Sequence, residues 1–351
     1  MKVLFVYKYL TLGGVETVLR ARLDHLDRWG IEAHAWFFHD LGGRSVFAGR
    51  EDRVHLGPPE ACMRHVLARK TDLLVSIDTE EILDAWRGGA GLRLAFECHT
   101  PYTENLEYLR RLAPLKPAAV LVPSEHQRRI ARERLGPDVE IPVVPNPLRD
   151  AFAMPLVPFP VSPRRPAVAW IGRLDDLKNW RGFVDLGSEL LARGGEAELW
   201  IAGRPVDAGT ATHLLERARA AGVLGRLRWY RGLPHDRVPA LLDAVRDSGG
   251  VLVSTSNGES FGMTVAEAMA RGCAVAAPDR TPFTEFVTHG ETGVLFRADG
   301  SWREAADIVA ALLADGPGRR SLGETARASI LARHAPEPAL AALAAELRGL
   351  I

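Results

Sequence analysis

Residues 251–279 read VLVSTSNGESFGMTVAEAMARGCAVAAPD, and the order of residue types in this stretch predicts a strand, a loop, a helix and a second strand. The β-branched run Val251–Val253 ends in a polar loop over residues 254–260. The apolar residues that follow have helical spacing, and Gly272 closes them at a C′ position. A second apolar run, Cys273–Ala277, completes the unit. Strand–helix–strand units of this kind build parallel α/β sheets.

Two glutamates flank the start of this helix, Glu259 just before it and Glu267 two turns further on. The first N–H groups of a helix lack intrahelical partners and carry the positive end of its dipole, so they favour a phosphate. Carboxylates on either side accept hydrogen bonds from sugar hydroxyls, which suits a ligand of the form sugar–diphosphate–ribose. The competing interpretation is an ordinary βαβ unit with solvated glutamates. Because Glu267 lies among apolar residues, where an unpartnered carboxylate is costly, we expect it to face a polar cleft.

The composition is that of a globular chain with more than one domain. Its 351 residues exceed one typical core and predict about two domains. The apolar fraction of 47% and the charged fraction of 25% are ordinary for such proteins. Because the formal net charge is zero, there is no sequence-wide basic field, and we expect no nucleic-acid partner. Abundant arginine, alanine and glycine indicate a bacterial source of high GC content.

The cysteines and the apolar runs indicate a cytoplasmic protein. Cys62, Cys98 and Cys273 are scattered and lack CxxC spacing, which fits a reducing compartment better than a disulfide framework. Lys8 interrupts the first apolar run too early for a signal peptide, and no apolar stretch approaches the roughly 18 residues of a spanning helix. The arginines of residues 128–134 could form a basic helix face for anionic lipid, but Glu125 and Glu133 are interspersed with them and favour a solvated face, so we expect at most peripheral membrane association.

Short apolar runs alternate with amphipathic segments along the whole chain, which predicts mainly parallel sheets covered by helices. The predicted strands of the first half are Val3–Tyr7, Ile31–Phe38, Leu73–Ile77, Arg93–Glu97 and Ala118–Val122. Those of the second half are Ala167–Ile171, Glu198–Ala202, Leu227–Tyr230, Gly250–Ser254, Ala274–Ala277 and Gly293–Phe296.

Eight prolines between residues 142 and 166 interrupt this alternation, because proline prevents helix continuation and removes ladder donors. We therefore expect an α/β protein of two Rossmann-like, doubly wound domains, residues 1–150 and 167–335, joined by a proline-rich linker over 151–166. Residues 336–351 are rich in alanine and leucine and predict one helix. Two such domains create a central cleft between the carboxyl ends of their sheets, where ligands of these folds bind.

Two cations follow the strand Ala167–Ile171 in the segment GRLDDLKN, residues 172–179. Arg173 and Lys178 lie just past the carboxyl end of this strand, where they could hold a diphosphate and stabilise charge growing on it. The competing interpretation is an exposed, salt-bridged loop, because two aspartates lie between them.

Gly13, Gly14 and His99 also follow predicted strands. The glycine pair allows a phosphate to approach the backbone closely, although a tight turn without a ligand explains it as well. His99 could donate a hydrogen bond to a substrate or manage a proton, although a lone histidine is more often structural. No DxD or HExxH motif and no cluster of histidine and cysteine is present in the sequence, so we expect no metal site and no resident cofactor.

Together these motifs resemble the retaining GT-B glycosyltransferases of family GT4, the glycosyl transferases group 1 type. Glu259 and Glu267 match the E-x7-E motif of that family. The resemblance spans nearly the whole chain and is most specific in the second domain. Further segments in family order are GRLDDLKN at 172–179, IAGRP at 201–205, YRGLP at 230–234, the Gly13-Gly14-Val15-Glu16 loop, VPSE at 122–125 and VPNPL at 144–148.

The resemblance implies a role for each matching residue. Glu259 would bind hydroxyls of the donor sugar, and Glu267 the ribose hydroxyls of the nucleotide. Arg173 and Lys178 would bind the diphosphate and stabilise it as leaving group. His99 would lie near the transferred sugar. The phosphate cradle would be formed by Gly13, Gly14, Ser260, Phe261, Gly262, Met263 and Thr264, and the surroundings of the base and phosphates by Arg204, Arg231 and Gly232.

The resemblance further implies sugar transfer from a nucleoside diphosphate donor to an acceptor hydroxyl, with retention and without a metal ion, and a last helix that packs on the first domain. UDP-sugars are favoured over GDP-sugars. We expect front-face transfer, in which the departing phosphate oxygen takes the acceptor proton. The alternative mechanism uses Glu97 as a nucleophile. A structural role for Glu97 fits its position equally well. The acceptor is expected to bind in the first domain, near loops 37–44 and 100–109. The residues of these loops do not identify the acceptor molecule. The sequence does not indicate an oligomeric state.

Two other functions fit parts of the same pattern. A nucleotide-sugar epimerase or hydrolase of the same fold would consume the donor without any acceptor. A non-catalytic nucleotide- or glycan-binding partner is expected to have lost Glu259, Arg173 or Lys178, and all three are present.

Overall fold

The computed structural model describes residues 1–86, 92–154, 158–298 and 300–351. The chain divides into two compact units, residues 1–150 with 333–351 and residues 151–332. Each unit contains a six-stranded sheet, and all the strand pairs described in the two sheets are parallel.

The first unit is a sheet in the order β3-β2-β1-β4-β5-β6, with helices in the connections between strands. Its strands are β1 Lys2–Leu10, β2 Glu32–Asp40, β3 Val54–Leu56, β4 Leu73–Ile77, β5 Arg93–Glu97 and β6 Val120–Leu121. Its helices up to residue 150 are α1 Gly14–His25, α2 Pro59–Arg69, α3 Ile82–Ala85, α4 Leu109–Leu112 and α5 Glu125–Leu135.

The second unit repeats this plan in the order β12-β11-β10-β7-β8-β9. Its strands are β7 Ala167–Ile171, β8 Glu198–Ala202, β9 Leu227–Tyr230, β10 Val251–Val253, β11 Ala274–Pro278 and β12 Val294–Phe296. Its helices are α6 Trp180–Ala192, α7 Ala208–Ala220, α8 Val238–Asp247, α9 Met263–Ala270, α10 Arg303–Ala314 and α11 Gly316–His334, the last of which runs two residues past the division between the units.

Burial on both faces explains the unbroken apolar runs of these strands. In β1, Val3 and Phe5 pack into one hydrophobic cluster, while Leu4 and Val6 pack into another on the opposite face. Successive side chains of a strand point to opposite faces, so a strand covered on both sides has no polar face to alternate with.

The last helix, α12 Pro336–Gly349, belongs to the first unit. Leu340, Leu343, Ala344 and Leu347 share one helical face and are fully or almost fully buried. They pack in the same cluster as Phe5 and the apolar face of α1. The second unit has its own core, which is built by β7, β10, α6 and α10.

Each unit has a topological switch point, where consecutive strands diverge to opposite sides of the sheet. It lies between β1 and β4 in the first unit and between β7 and β10 in the second. Ligands of doubly wound sheets bind in the crevice at the carboxyl ends of such strands.

The structure differs from the sequence prediction at two places. The short strand β3, Val54–Leu56, is not predicted, because three residues at a sheet edge show no clear period. The segment from Ala151 groups with the second unit, whereas the sequence predicts a linker over 151–166. The guanidinium of Arg271 donates to the carbonyl oxygens of Phe152 and Met154 and holds this segment against the second unit. Part of the predicted linker, residues 155–157, lies outside the described residues.

Across the described ranges, the helices are all too short or too polar to cross a membrane.

A buried ion pair joins α1 to β5 in the first unit. The guanidinium of Arg22 donates to both carboxylate oxygens of Glu97, at 2.6 and 2.5 Å, and both side chains are almost completely buried. Arg22 also lies over the ring of Phe5, 4.8 Å from its centroid.

We predict that Glu97→Gln lowers the free energy of unfolding by about 3–5 kcal/mol, because it leaves the Arg22 guanidinium buried without its counter-ion. The double variant Arg22→Met/Glu97→Gln should lose less than the sum of the two single variants. Urea unfolding measures both quantities. The matched control is the exposed pair Arg28–Glu337, whose side chains are 62% and 69% exposed. Removing it should cost at most about 1 kcal/mol, and an equal loss for both pairs would contradict the prediction.

A second prediction concerns pH. Burial lowers the pKa of His334 to about 4, and its Nδ1 lies 3.0 Å from the carbonyl oxygen of Asn146. The unfolded chain, with an ordinary histidine pKa, binds this proton first as pH falls. The free energy of unfolding should therefore fall between about pH 6.5 and pH 4, by about 3 kcal/mol from this residue. His334→Asn keeps a donor and removes the titration, so its unfolding free energy should depend less on pH. An unchanged pH dependence would show that His334 does not carry the effect.

Candidate functional site

The switch point of the second unit holds a pocket at the carboxyl ends of β7 and β10 and at the start of α9. Its lining combines the ends of two buried strands with the polar loop of residues 254–260. The lining residues are Trp170, Ile171, Lys178, Leu252, Val253, Ser254, Ser256, Glu259, Gly262, Thr264 and Val265.

Local hydrogen bonds set the conformation of the loop after β7. Asn179 has a left-handed backbone, with φ of 53°, and its side chain caps α6 by accepting from the amide of Gly182 at 3.0 Å. The carboxylate of Asp175 accepts from the amide of Lys178 at 2.8 Å. These short-range bonds explain the sequence DDLKN and fix the backbone from which Lys178 extends.

The loop after β10 is joined to the loop after β7 by backbone and side-chain bonds. The amide of Asn257 donates to the carbonyl oxygen of Leu177 at 2.7 Å, and the hydroxyl of Ser256 donates to the same oxygen at 3.1 Å. The hydroxyl of Thr255 donates to the carbonyl oxygen of Asn179 at 2.8 Å. The two loops therefore form one polar layer over the strand ends.

Lys178 and Glu259 meet in this layer. The Lys178 Nζ lies 2.6 Å from Oε1 and 2.7 Å from Oε2 of Glu259. The side chains are 23% and 11% exposed, so both reach solvent at the pocket. The arrangement offers a cation that can bind a phosphate and a carboxylate that can accept from sugar hydroxyls.

The helix α9 begins beside this pair. Gly262 caps it with φ of 102°, and a Cβ at this position would lie 2.8 Å from Cε1 of Phe283. Only glycine fits both the backbone and the space. Ser260 and Phe261 precede the cap, and the ring of Phe261 packs on Phe286 with 5.0 Å between centroids.

The first N–H groups of a helix lie outside its i→i−4 ladder, so the start of α9 can bind an anion. The residues there are Met263 and Thr264, and Thr264 lines the pocket.

Glu267 is buried within α9 and is absent from the pocket lining, so the structure does not show it facing the expected polar cleft; its partner is a histidine. The His235 Nε2 lies 3.1 Å from Glu267 Oε1. The side chain of Glu267 is 6% exposed, against 28% for His235.

Arg173 is placed differently from Lys178. Its side chain is 62% exposed, and its guanidinium lies 3.2 Å from the carboxylate of Asp175. This contact matches the alternative of an exposed, salt-bridged loop, and Arg173 is absent from the pocket lining. Its role at the diphosphate stays a prediction.

Arg204, Arg231 and Gly232 lie past the ends of β8 and β9. A Cβ on Gly232 would lie 4.0 Å from Nε of Arg204, so these two are neighbours. The guanidinium of Arg231 lies 5.6 Å from the ring centroid of Trp229. Their contact with the base and phosphates also stays a prediction.

In the first unit, Gly13 and Gly14 begin α1 beside the carboxylate of Glu16. That carboxylate accepts from both the amide and the hydroxyl of Thr11 at 2.5 Å, and burial raises its pKa. A Cβ on Gly13 would lie 2.8 Å from Glu16 Oε2, whereas a Cβ on Gly14 would meet nothing within 4 Å. Internal packing thus explains Gly13, and the space at Gly14 suits a close approach to the backbone.

His99 follows β5, and its Nε2 lies 2.7 Å from Oε1 of Glu97. Burial opposes ionisation, but the charges of Arg22 and His99 outweigh it and hold the pKa of Glu97 well below its usual range. An ionised Glu97 can only accept, so the Nε2 of His99 donates to it. The role of His99 near the transferred sugar stays a prediction. Glu97, whose carboxylate oxygens are bound by the Arg22 guanidinium and by the His99 ring, is poorly suited to act as a nucleophile.

Sequence reasoning missed His235 and Arg22. A signal existed for Arg22, since it lies in the helical stripe that contains Val15, Leu19 and Leu26 and is therefore directed into the core. His235 follows the YRGLP segment directly, and no period or motif marks it.

The described parts of the chain contain no group of three or more histidine, cysteine, aspartate or glutamate side chains that could hold a metal ion.

Sequence comparison relates the second unit to known proteins. Residues 159–329 match the family described as glycosyl transferases group 1. The D-inositol 3-phosphate glycosyltransferase of Corynebacterium diphtheriae is 31% identical over 166 residues, which is 45% of this chain and 37% of that protein. The phosphatidyl-myo-inositol mannosyltransferase of Mycolicibacterium smegmatis is 33% identical over 208 residues, 59% of this chain and 50% of that protein. The chain thus spans half or less of these relatives.

Structural comparison covers the whole chain. The Anabaena protein Alr3699/HepE, solved in complex with UDP and glucose, is similar with a TM-score of 0.83 at 19% identity, over 99% of this chain and 100% of that chain. A likeness at this identity shows the fold, and the predicted GT-B class of two doubly wound α/β units is confirmed. The family resemblance of the motifs is confirmed for the unit that holds Lys178, Glu259 and Glu267. The match to the glycosyl transferases group 1 family covers residues 159–329, just under half of this chain.

Proposed function

We propose that this protein is a retaining glycosyltransferase that moves a sugar from a nucleoside diphosphate donor to an acceptor hydroxyl, with UDP-sugars favoured over GDP-sugars and without a metal ion. The observation that carries the proposal is the Lys178–Glu259 pair beside the start of α9, at the switch point of the second unit.

Each part of the donor has a chemically suitable partner at this site. The N-terminus of α9 and the ammonium of Lys178 suit the two phosphates, because both provide N–H donors and positive charge. Glu259 lies beside Lys178 and suits hydroxyls of the sugar. Glu267 lies about one turn into α9 and suits the hydroxyls of the ribose. The names of the relatives, which are glycosyl- and mannosyltransferases, support the transfer of a sugar.

Charge on the departing diphosphate has to be stabilised as the bond to the anomeric carbon breaks. Lys178, together with the helix N-terminus, supplies fixed positive charge at this position, and Arg173 is available on the same loop. In other enzymes a divalent cation fills this role. These groups support metal-independent transfer.

Transfer on one face of the sugar accounts for every bond that forms or breaks and for the acceptor proton. The acceptor oxygen forms a bond to the anomeric carbon as the bond from that carbon to the phosphate oxygen breaks. The acceptor proton passes to that phosphate oxygen, and the configuration is retained. The Arg22–Glu97 pair supports this route over a covalent intermediate on Glu97, because both oxygens of that carboxylate are already bound by the guanidinium.

We predict that Lys178→Ala and Arg173→Ala each lower turnover by about 10²–10³-fold, as when one oxyanion donor is lost, and that Glu259→Ala also lowers turnover strongly, because the sugar hydroxyls lose their acceptor. UDP released from UDP-glucose with a panel of hydroxyl acceptors measures this. Arg181→Ala is the matched control, because Arg181 pairs with Asp176 in the same segment and its side chain is 42% exposed. Normal turnover in all three variants would refute the assignment of these residues to the donor site. If wild type releases as much UDP without acceptors as with them, the protein is a hydrolase.

We further predict that UDP stabilises the protein more than GDP, TDP or ADP at equal concentration. A ligand at 100 times its Kd should raise the free energy of unfolding by about 2.7 kcal/mol. Thermal unfolding with each nucleotide, with EDTA or with Mg²⁺, measures this. Equal UDP stabilisation in EDTA and Mg²⁺ is the expected result, and a strict requirement for Mg²⁺ would contradict metal independence.

A further inference from the structure

The contact between His235 and Glu267 is a feature that neither motif matching nor the proposed reaction explains. Glu267 lies in α9 among buried residues, and its side chain is 6% exposed. A carboxylate in such a place is costly unless it is hydrogen-bonded. The His235 Nε2, at 3.1 Å from Oε1, provides that bond from a different element of the fold.

The backbone around His235 is fixed by its neighbours. Pro234 has an extended backbone, with φ of −60° and ψ of 144°, and residues His235–Arg237 form a 3₁₀ turn that leads into α8. The buried ring of Phe152 packs on the imidazole, with 5.8 Å between ring centroids. The imidazole is thus held between this ring and the Glu267 carboxylate.

Arg271 connects the elements that hold this pair. It caps the C-terminus of α9, the helix of Glu267, and its side chain is 6% exposed. Its guanidinium donates to the carbonyl oxygens of Phe152 at 3.2 Å and Met154 at 2.7 Å, and to the carboxylate of Asp243 in α8 at 2.9 Å. One buried cation therefore ties together the helix of Glu267, the segment that covers His235 and the helix that His235 precedes.

We propose that His235 is a positioning residue for Glu267, and that the pair selects ribonucleotides over 2′-deoxyribonucleotides in the donor. This inference rests on the proposed function, in which Glu267 accepts from the ribose hydroxyls. An ionised carboxylate has about four acceptor positions, so Glu267 keeps capacity for both hydroxyls while Oε1 accepts from His235. The bond to His235 restricts the rotation of the carboxylate and directs its remaining lone pairs.

A deoxyribose would leave one of these enclosed acceptor positions without a donor. Such a loss weakens binding by on the order of tenfold or more, because the unpaired group keeps its desolvation cost. A carboxylate that rotates freely distinguishes the two sugars less well, since it can turn to another partner. Selectivity, rather than affinity alone, should therefore depend on His235.

The test is isothermal titration of the full chain with UDP and with dUDP. We expect wild type to bind UDP at least tenfold more tightly than dUDP. His235→Ala should move this ratio towards one by weakening UDP more than dUDP. His235→Gln places an amide donor near the former Nε2 and should restore most of the ratio. His213→Ala, on an exposed position of α7, is the matched control and should leave it unchanged.

A double variant separates positioning from a general effect on the fold. In a Glu267→Gln background, His235→Ala should change the ratio no further. Equal weakening of UDP and dUDP by His235→Ala would overturn the inference and leave the proposed function standing, as would no weakening of either. If wild type binds neither UDP nor GDP, the proposed function fails, and the inference fails with it.

Discussion

The cost of removing a carboxylate from water is the constraint on which much of this structure depends. Glu97, Glu259 and Glu267 are each largely enclosed, and each is met by a nitrogen donor from a distant part of the chain. Burial of one charge is unfavourable, whereas burial of a hydrogen-bonded pair in good geometry is tolerated. Each pair therefore acts as a tertiary constraint, because the fold that brings its two members together is the one that avoids the penalty.

The order of the strands in the sheet brings together the most important of these pairs, Lys178 and Glu259. Lys178 and Glu259 are 81 residues apart, yet they lie 2.6 Å from each other because β7 and β10 are neighbours in the sheet. The pair also keeps the pocket nearly neutral when no anion is bound. An entering diphosphate would compete with Glu259 for the ammonium and so release the carboxylate towards the hydroxyls of the sugar. In the proposed reaction, binding of the phosphates and recognition of the sugar would thereby be linked through the side chain of Lys178.

Much of this arrangement follows from local sequence patterns. Strand runs such as Ala167–Ile171 are unambiguous because both faces are buried, and Gly272 marks the end of α9, with φ of 71° as a C′ glycine requires. The partners of the buried carboxylates do not follow from local sequence patterns. Neither His235 nor Arg22 can be paired with its glutamate from sequence, because the pairing depends on which elements pack together. The edge strand β3 is missed for a related reason, since three residues carry too little periodicity.

The position of α12 has a consequence for how the chain is made. The cluster that packs against β1 includes Leu340, Leu343 and Leu347, which leave the ribosome more than 330 residues after the strand that they cover. The second unit is continuous in sequence, and its last helix, α11, ends at His334, before α12 begins. In two-unit proteins the N-terminal unit commonly folds first during synthesis. Here one face of the first sheet, which α1 covers in part, lacks the rest of its cover until α12 is translated.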